Sequence, residues 1–321
     1  MPYLIGVDEA GYGPNLGPLV VGATAWWVPE PIVTEELDER LRRAVTRTKP
    51  DEDDPRLWIA DSKELYSPAQ GLGTLEHSVL AAVVAQRRHL ILKWSDIWRE
   101  LAPASAEKLD AAWYRDYDLA LPTASDARKI LAAAARLRGA LAEHQLQLVE
   151  TCARVVPAQE FNGLVDRHGN KGHVLSWVTV ELIREVLERL PSRESTLVLC
   201  DRHGGRAKYQ QFLQRQFPDH LVQVYQEGRQ QSVYRMGTLP ARTEIRFTVG
   251  GEAALPTALA SMVAKYLREL AMKAFNAFWH EHDGQLKPCA GYPVDAKRFV
   301  QEIAPVKKRL KIRDETLWRQ C

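Results

Sequence analysis

The hydrophobic positions along the chain recur with two different periods. In a strand successive side chains point to opposite faces, whereas in a helix the apolar positions return every three or four residues. Short β-branched or aromatic runs therefore indicate strands, and longer amphipathic stretches indicate helices. After a first apolar run at Leu4 and Ile5, the pattern predicts strands over 19–28, 89–94, 148–156, 196–200, 221–227 and 243–249, helices over 33–45, 74–86, 174–190, 209–217, 256–280 and 297–303, a polar connection over 157–172 and a basic tail over 307–313.

The stretch over 95–147 interrupts this alternation with Ala-rich helical segments. It predicts an inserted helical subdomain or protruding arm between two parts of a larger domain, 1–94 and 148–321. The aromatic residues of this insertion are expected to form its own core and not a platform for stacking bases: Trp98, Trp113, Tyr114 and Tyr117.

Composition is that of a globular protein without a membrane span. Of 321 residues, 45% are hydrophobic and 26% charged, and no run of 18 apolar residues occurs. Because the chain enters its first strand without a basic flank and an apolar leader segment, the sequence predicts a cytoplasmic location. The net charge of +2 and the pI near 8.3 neither require nor exclude nucleic acid as a partner.

The cysteines are spaced for neither a zinc site nor a disulfide framework. None of the four forms a C-x-x-C pair with another, so we expect reduced thiols and no structural zinc. These residues are Cys152, Cys200, Cys289 and Cys321.

Two adjacent carboxylates, Asp8 and Glu9, follow the first apolar run and precede Gly11 and Gly13. Because a strand alternates its side chains between two faces, the two acids could share a site only if the backbone bends there, which the glycines permit. Taken alone, the pair is more typical of an ordinary hairpin turn with solvated acids. Its interpretation depends on further carboxylates elsewhere in the chain.

Asp201 is a third candidate, because it ends the most strand-like run of the chain, 196–200, which is continuous enough to be buried on both faces. The string Asp-Arg-His-Gly that begins at Asp201 also begins at Asp166. Only the second copy ends a buried strand, where α/β folds tend to place their chemistry. We therefore assign the third carboxylate to Asp201 and interpret Asp166 as part of a loop.

One face of the predicted helix over 256–280 carries Ser261, Lys265 and Glu269 at four-residue intervals. A hydroxyl, an ammonium and a carboxylate in a row suit a site that handles phosphate and metal together, and an exposed Lys265–Glu269 ion pair is the simpler alternative. Ser62 and Lys63 could hold a phosphate, or could equally be a helix cap and a surface lysine.

Five motifs in this order resemble those of ribonuclease HII, the type 2 branch of the ribonuclease H superfamily. The resemblance covers most of the chain apart from the insertion and the segments around 30–58 and 206–250. The motifs are GVDEAGYGPNLGP at 6–18, DSKEL at 61–65, LVLCD at 197–201, ALASMVAKYLRE at 258–269 and GYP at 291–293.

The resemblance implies an α/β fold with a ribonuclease H-like mixed sheet flanked by helices, in which 1–94 and 148–321 form the catalytic domain and 95–147 a helical insertion. It implies two divalent cations, Mg²⁺ or Mn²⁺, and hydrolysis of phosphodiester bonds in RNA/DNA hybrids or at ribonucleotides embedded in duplex DNA, leaving a 3'-hydroxyl and a 5'-phosphate. A nucleic-acid partner and a monomer are expected, with no membrane. The metal ligands and catalytic residues implied in this way are Asp8, Glu9, Asp201 and Glu269.

The resemblance also implies how substrate is bound. Backbone groups of Gly11, Tyr12 and Gly13 would read the ribose 2'-hydroxyl, by which proteins distinguish RNA from DNA. The ring of Tyr292 would pack on the sugar beyond the junction. Phosphates would be approached by Ser62, Lys63 and Lys265.

Two residues differ from the family pattern. Tyr12 stands where ribonuclease HII has the arginine of Gly-Arg-Gly, and a phenol does not replace a charged, forked phosphate donor. Glu269 stands where an aspartate is usual. Two other functions therefore stay open: a structure-specific nuclease with the same metals and a different substrate, and a catalytically weakened nucleic-acid-binding protein.

Overall fold

The structure of the protein is a computed structural model that describes residues 2–29, 34–191 and 194–320. The strands in these ranges are β1 (Tyr3–Ala10), β2 (Leu19–Trp27), β3 (Val45–Thr46), β4 (Leu57–Trp58), β5 (Gln147–Val156), β6 (Thr196–Asp201), β7 (Gln223–Glu227), β8 (Gln231–Met236) and β9 (Thr243–Thr248).

The helices are α1 (Thr34–Leu41), α2 (Ser62–Leu65), α3 (Gly73–Arg87), α4 (Trp94–Leu101), α5 (Pro103–Ala106), α6 (Ala112–Arg115), α7 (Ala127–Glu143), α8 (Ala158–His168), α9 (Lys171–Arg189), α10 (Gln210–Gln216), α11 (Leu255–His282), α12 (Pro293–Glu302), α13 (Ala304–Arg309) and α14 (Asp314–Leu317). A short 3₁₀ helix, Gly251–Ala253, precedes α11. None of the described helices is both long enough and apolar enough to cross a bilayer.

Seven strands form one sheet in the order β5-β2-β1-β6-β9-β8-β7. β1 pairs antiparallel with β2 and parallel with β6, and β6 pairs parallel with β9. The outer strands on both sides are antiparallel. The predicted mixed sheet flanked by helices is therefore confirmed. Its three central parallel strands end at the same edge of the sheet.

Alternation along β1 divides the core between the two faces of the sheet. Leu4 packs into a hydrophobic cluster with α3, α7 and α11, whereas Ile5 and Val7 pack into a second cluster with α8, α9 and α10. A strand buried on both faces in this way lies at the centre of the sheet, so α11 and α9 cover β1 from opposite sides.

Glycines let α11 lie unusually close to β1 and β2. A Cβ on Gly6 would lie 2.0 Å from the carbonyl carbon of Pro256, and a Cβ on Gly22 would lie 2.4 Å from the carbonyl oxygen of Ala260. Backbone cannot yield at such distances, so only glycine fits. Farther along, a Cβ on Gly11 would lie 2.8 Å from the Arg268 side chain. Thus β1 and α11 run side by side in the same direction.

The insertion over 95–147 shares its core with α11. The Trp113 ring lies 5.3 Å from the Phe275 ring between centroids, and Trp94, the residue just before the insertion, donates from Nε1 to the carbonyl of Leu270 at 3.2 Å. Trp98, Trp113 and Tyr114 are buried, but in a cluster that extends beyond the insertion, so the prediction that they form the insertion's own core was wrong.

Several sequence predictions of secondary structure were wrong. Residues 89–94 make no strand, because α3 ends at left-handed Arg88 and α4 begins at Trp94, which leaves only one bridge, Lys93 with Ala120. The connection over 157–172 contains α8, so Asp166 is helical and not in a loop. Strand β8 was missed, and the basic tail is partly the helix α13.

β6 was predicted to be buried on both faces, but its burial alternates. Val198 and Cys200 lie fully in the cluster on the α9 side, whereas Leu197 and Leu199 on the other face are partly exposed. The cysteines at 152, 200 and 289 are free and buried. Cys321, and Val33 at the start of the helix predicted over 33–45, lie outside the described residues.

Candidate functional site

The carboxylates meet where the parallel strands end. The pairing of β1 with β6 stops at Val7 opposite Cys200, so Asp8 and Asp201 are the next residues on neighbouring strands. Asp201 is the last residue of β6 and still pairs with Thr248 of β9. Open α/β sheets bind ligands at this carboxyl edge, because no strand fills the space beyond it.

Asp8 and Glu9 both lie on regular strand, paired with Gly22 and Val21 of β2. The expected bend comes only at Gly11, whose φ is 86°. The two side chains can nevertheless meet, because β6 has ended and leaves the β1 edge open. Within this corner the Glu9 amide donates to Oδ1 of Asp8 at 2.8 Å.

Burial and like charge act together on these acids. Burial raises the pKa of Asp8 to about 7, and the negative charges of Asp201 and Glu252 add to it, against a hydrogen bond with Ser261. Burial and then the charges of Asp8 and Asp201 raise the pKa of Glu9 well above its usual value. Burial and neighbouring negative charge both disfavour the ionised form of a carboxylic acid, so the two effects add here.

Glu252 is a fourth acid at this corner. The Gly251 amide donates to Oδ1 of Asp201 at 2.9 Å, and a Cβ on Gly251 would lie 2.8 Å from Cα of Asp201. The 3₁₀ turn therefore packs tightly on the end of β6. Burial, followed by the charges of Asp201 and Asp61, raises the pKa of Glu252.

Polar groups from α2 and α11 border the acids. The hydroxyls of Ser62 and Ser261 are buried and lie 3.1 Å apart. Lys63 is mostly exposed and pairs with Asp61, which also caps α2, at 3.5 Å. The charge of Asp61, opposed by burial and helped by Asp8 and Glu252, raises the pKa of Lys63. Lys63 therefore faces both its cap and the acid cluster.

The donor set suits a hard divalent cation. Mg²⁺ and Mn²⁺ prefer carboxylate oxygen, and a cation would relieve the mutual repulsion of Asp8, Glu9, Asp201 and Glu252. Within the described ranges, the side chains as placed form no group of three or more His, Cys, Asp and Glu in a metal-binding arrangement. The fit therefore rests on the chemistry and charge of the donors.

Glu269 lies in a different environment. It accepts hydrogen bonds from Tyr66 at 2.7 Å, Lys265 at 2.8 Å and Arg268 at 3.1 Å. Burial would raise its pKa, but the charges of Lys265 and Arg268 outweigh burial and lower it. Eight residues of helix separate Glu269 from Ser261, or about 12 Å along the axis. The structure thus places Glu269 beside two cations and brings Asp8, Glu9 and Asp201 together.

The loop after β1 connects the two groups. Gly11 lies against Arg268, and a Cβ on Gly13 would lie 3.9 Å from the ring of Tyr292, which is 53% exposed. Burial raises the pKa of Tyr12, the charge of Glu9 adds to this, and Arg206 opposes it. Tyr12 therefore lies between the acids and positive charge on the α9 side.

Distant segments hold this loop in place. The amides of Asn15 and Leu16 donate to the carbonyl of Gly291 at 2.8 and 3.2 Å. The buried Arg319 side chain donates to the carbonyls of Gly11 and Pro14. Because both ends of the loop are tied to the C-terminal part of the chain, its backbone groups are fixed beside Glu9 before any ligand binds.

Sequence reasoning missed Glu252 and Arg268. The Gly-Gly-Glu string at 250–252, which follows a predicted strand and precedes a predicted helix, was the available signal for Glu252. Arg268 had no such signal, because its role depends on the close approach of α11 to Gly11 and on its bond to the carbonyl of Ala290 at 2.8 Å.

No protein-family model matches the chain, and no curated protein matches it. Among solved structures, the chain is similar to the PCNA–RNase HII complex from Archaeoglobus fulgidus, at 14% identity over 99% of this chain and 93% of that chain, with a TM-score of 0.43. It is similar to ribonuclease H2 from Pyrococcus horikoshii OT3, at 15% identity over 98% and 92%, with a TM-score of 0.42.

A third similar structure is Bst-RNase HIII in complex with Mn²⁺, at 14% identity over 99% of this chain and 66% of that chain, with a TM-score of 0.45. All three are structures of type 2 ribonucleases H. At these identities and scores, the likeness adds no weight to a choice of function, which has to come from the site.

Proposed function

We propose that the protein is a divalent-metal-dependent endonuclease that hydrolyses RNA in RNA/DNA hybrids or at ribonucleotides embedded in duplex DNA, leaving a 3'-hydroxyl and a 5'-phosphate. The observation that carries this proposal is the meeting of Asp8, Glu9 and Asp201 at the ends of neighbouring parallel strands, where burial and like charge raise the pKa values of Asp8 and Glu9. Family motifs in the same order support the choice of substrate.

Two Mg²⁺ or Mn²⁺ ions are the proposed cofactors. When bound, such ions activate water and stabilise the leaving oxygen of an in-line displacement. Asp8, Glu9 and Asp201 would hold them. The resemblance assigns the fourth ligand to Glu269, whereas the charges around Asp201 offer Glu252. The two assignments differ because Glu269 would have to leave its existing ion pairs with Lys265 and Arg268.

The remaining residues would bind and orient the nucleic acid. Ser62, Lys63 and Lys265 border the acids on the α11 side and would approach phosphates. Backbone groups of Gly11, Tyr12 and Gly13 would face the ribose 2'-hydroxyl, in a loop already held by Arg319 and Gly291. The exposed ring of Tyr292 would pack on a sugar.

Tyr12 favours a second candidate, a nuclease with the same metals and a different structural preference. Its phenol cannot form the bidentate phosphate contact that an arginine makes at this point. The third candidate is a catalytically weakened protein that only binds nucleic acid. The chain retains acids at all four positions, which argues against this candidate.

One panel of substrates separates these functions. The purified protein is incubated with Mg²⁺ or Mn²⁺ and end-labelled hybrid, single-ribonucleotide, all-RNA and all-DNA duplexes, and the cut sites and end groups are mapped. We expect cleavage only where ribonucleotides occur in a duplex with DNA, and none in EDTA. Cleavage of all-DNA duplexes would favour the second candidate, and binding without cleavage of any duplex would favour the third.

A further inference from the structure

The two copies of the Asp-Arg-His-Gly string come together on the α9 side of the acids. The first copy ends α8 and leads through Asn170 into Lys171 at the start of α9. The second copy leaves β6 at Asp201 and leads to Arg206. The proposed function uses only Asp201 of these residues, which leaves the convergence of Lys171 and Arg206 unexplained.

Both residues lie against Tyr12. A Cβ placed on Gly172 would be 3.4 Å from the Tyr12 hydroxyl and 3.7 Å from Nη2 of Arg206, so these two groups border one point. The ammonium of Lys171 lies 5.3 Å from the centre of the Tyr12 ring. Glycine at 172 keeps the space between them open. The result is a small open space bordered by the Tyr12 hydroxyl, Nη2 of Arg206 and Oδ1 of Asn170, with the Lys171 ammonium over the Tyr12 ring.

The charges of this group are available to a ligand. Throughout residues 2–29, 34–191 and 194–320, no carboxylate lies within 4.0 Å of the charged nitrogens of Lys171 or Arg206, whereas Lys63 pairs with Asp61 and Lys265 pairs with Glu269. The guanidinium of Arg206 rests on the face of Phe212, with its carbon 4.8 Å from the ring centre. Stacking fixes its plane and leaves its N–H groups free to donate.

We propose that Lys171, Arg206 and the Tyr12 hydroxyl bind a backbone phosphate of the nucleic acid next to the scissile bond. This inference rests on the proposed nuclease function. Arginine presents a fork that matches phosphate oxygens, and lysine adds a point charge. Lys171, from the start of α9, and Arg206, from the segment after β6, provide the positive charge that a tyrosine at position 12 lacks. The phosphate is contacted on the α9 side of the sheet, opposite the groups on α11.

The test compares two double variants that remove the same charge. K171Q/R206Q alters the proposed site. R128Q/K129Q alters two exposed residues at the start of α7, on the other side of the sheet. Binding of a fluorescein-labelled RNA/DNA hybrid is measured by anisotropy in EDTA at increasing salt, and turnover is measured separately in Mg²⁺. Melting curves verify that both variants fold.

We expect K171Q/R206Q to bind roughly tenfold more weakly at low salt and to lower the slope of log K against log salt by about one to two. KM should rise while kcat at saturating substrate stays within about threefold of wild type, because the removed groups touch no reacting atom. R128Q/K129Q should match wild type in slope and KM.

A wild-type slope and KM in K171Q/R206Q would overturn the inference even if the protein proves to be a nuclease. If no duplex is cleaved, the function proposal fails, and the anisotropy slopes still decide whether these residues bind phosphate. R206K gives a finer result: if Arg206 contacts the phosphate through its fork, affinity falls despite the retained charge.

Discussion

The two ends of the Ser261–Glu269 stripe on α11 hold carboxylates in opposite states. At the Ser261 end, Asp8, Glu9 and Glu252 repel one another and their pKa values are raised. At the other end Glu269 accepts from Lys265, Arg268 and Tyr66, and its pKa is lowered. The mostly exposed Lys63 approaches the first group, whereas Glu269 is bonded directly to Lys265 and Arg268.

This difference bears on which of the proposed ligands a cation would favour. A cation added to the first group relieves repulsion, whereas a cation added at Glu269 must displace two ion pairs. The order of the sequence motifs alone assigns the carboxylates at both ends of the Ser261–Glu269 stripe to one site. The environment of each acid gives the more direct guide to which of them a cation would bind.

The largest effect is expected from Asp201. D201N should lower Mg²⁺-dependent cleavage on the order of 10³-fold or more, because a neutral amide is a poor ligand for a hard cation. The matched control is D166N, which changes the first residue of the other Asp-Arg-His-Gly string. Cleavage of end-labelled hybrid is the measurement. Undiminished cleavage by D201N would show that the acid cluster has no role in catalysis.

The next effect distinguishes Glu252 from Glu269. Mn²⁺ should raise the melting temperature of the wild type by a few degrees, by mass action on the folded state. E252Q should lose much of this rise. E269Q should keep the Mn²⁺-dependent rise. Without metal it should lose roughly 1–3 kcal/mol of unfolding free energy and melt at a lower temperature, because the largely buried Arg268 loses a charged partner. If E269Q abolishes the Mn²⁺ shift, Glu269 is a ligand and its ion pairs open on metal binding.

A third prediction concerns the close packing of α11, which carries Ser261, Lys265 and Glu269, against β2. G22A should destabilise the protein by about 1–3 kcal/mol, because the new methyl would lie 2.4 Å from a backbone oxygen of α11. G139A on α7 is the control, since a Cβ there meets nothing within 4 Å. That change should be neutral or stabilise by up to about 1 kcal/mol. Urea unfolding measures both, and equal midpoints would show that α11 can move aside.

The smallest effect is expected at Tyr12. Y12R should raise kcat/KM at a single ribonucleotide in duplex DNA by roughly two- to threefold, because it adds a forked donor near cations that already serve a phosphate. Y12F, which removes only the hydroxyl, should lower it slightly. Unchanged kinetics in both variants would mean that this side chain does not contact the substrate.

The sequence predicted most of the central elements because their periods are strong. Six of the seven strands of the main sheet coincide with predicted apolar, β-branched or aromatic runs, and α11 follows an almost unbroken helical pattern. Strand β8 was missed because its polar and apolar residues do not alternate cleanly. Helix α8 was missed because polar residues dominate it, and its apolar face is set by only a few positions such as Phe161 and Leu164.

Part of the site could be predicted from the sequence for the same reason. Asp8 and Asp201 each follow a strong strand signal, so their position at a sheet edge could be predicted. Glu252 had a local signal in the Gly-Gly-Glu string at 250–252, but its approach to the acids, like that of Lys171 and Arg206, depends on strand register, on a glycine contact at Gly251 and on the packing of α9. These are tertiary effects with no local period.

The contact of Arg319 with Gly11 joins positions 308 residues apart in the chain. During synthesis, the loop that carries Tyr12 is made long before the Arg319 side chain that contacts it. Before then the strands can pair and the acids can come together, but the loop lacks its hydrogen bonds from Arg319. Ordering of that loop is therefore a late step in folding. A ribosome-bound chain that ends before residue 319 should bring the acids together while the substrate loop is still not ordered.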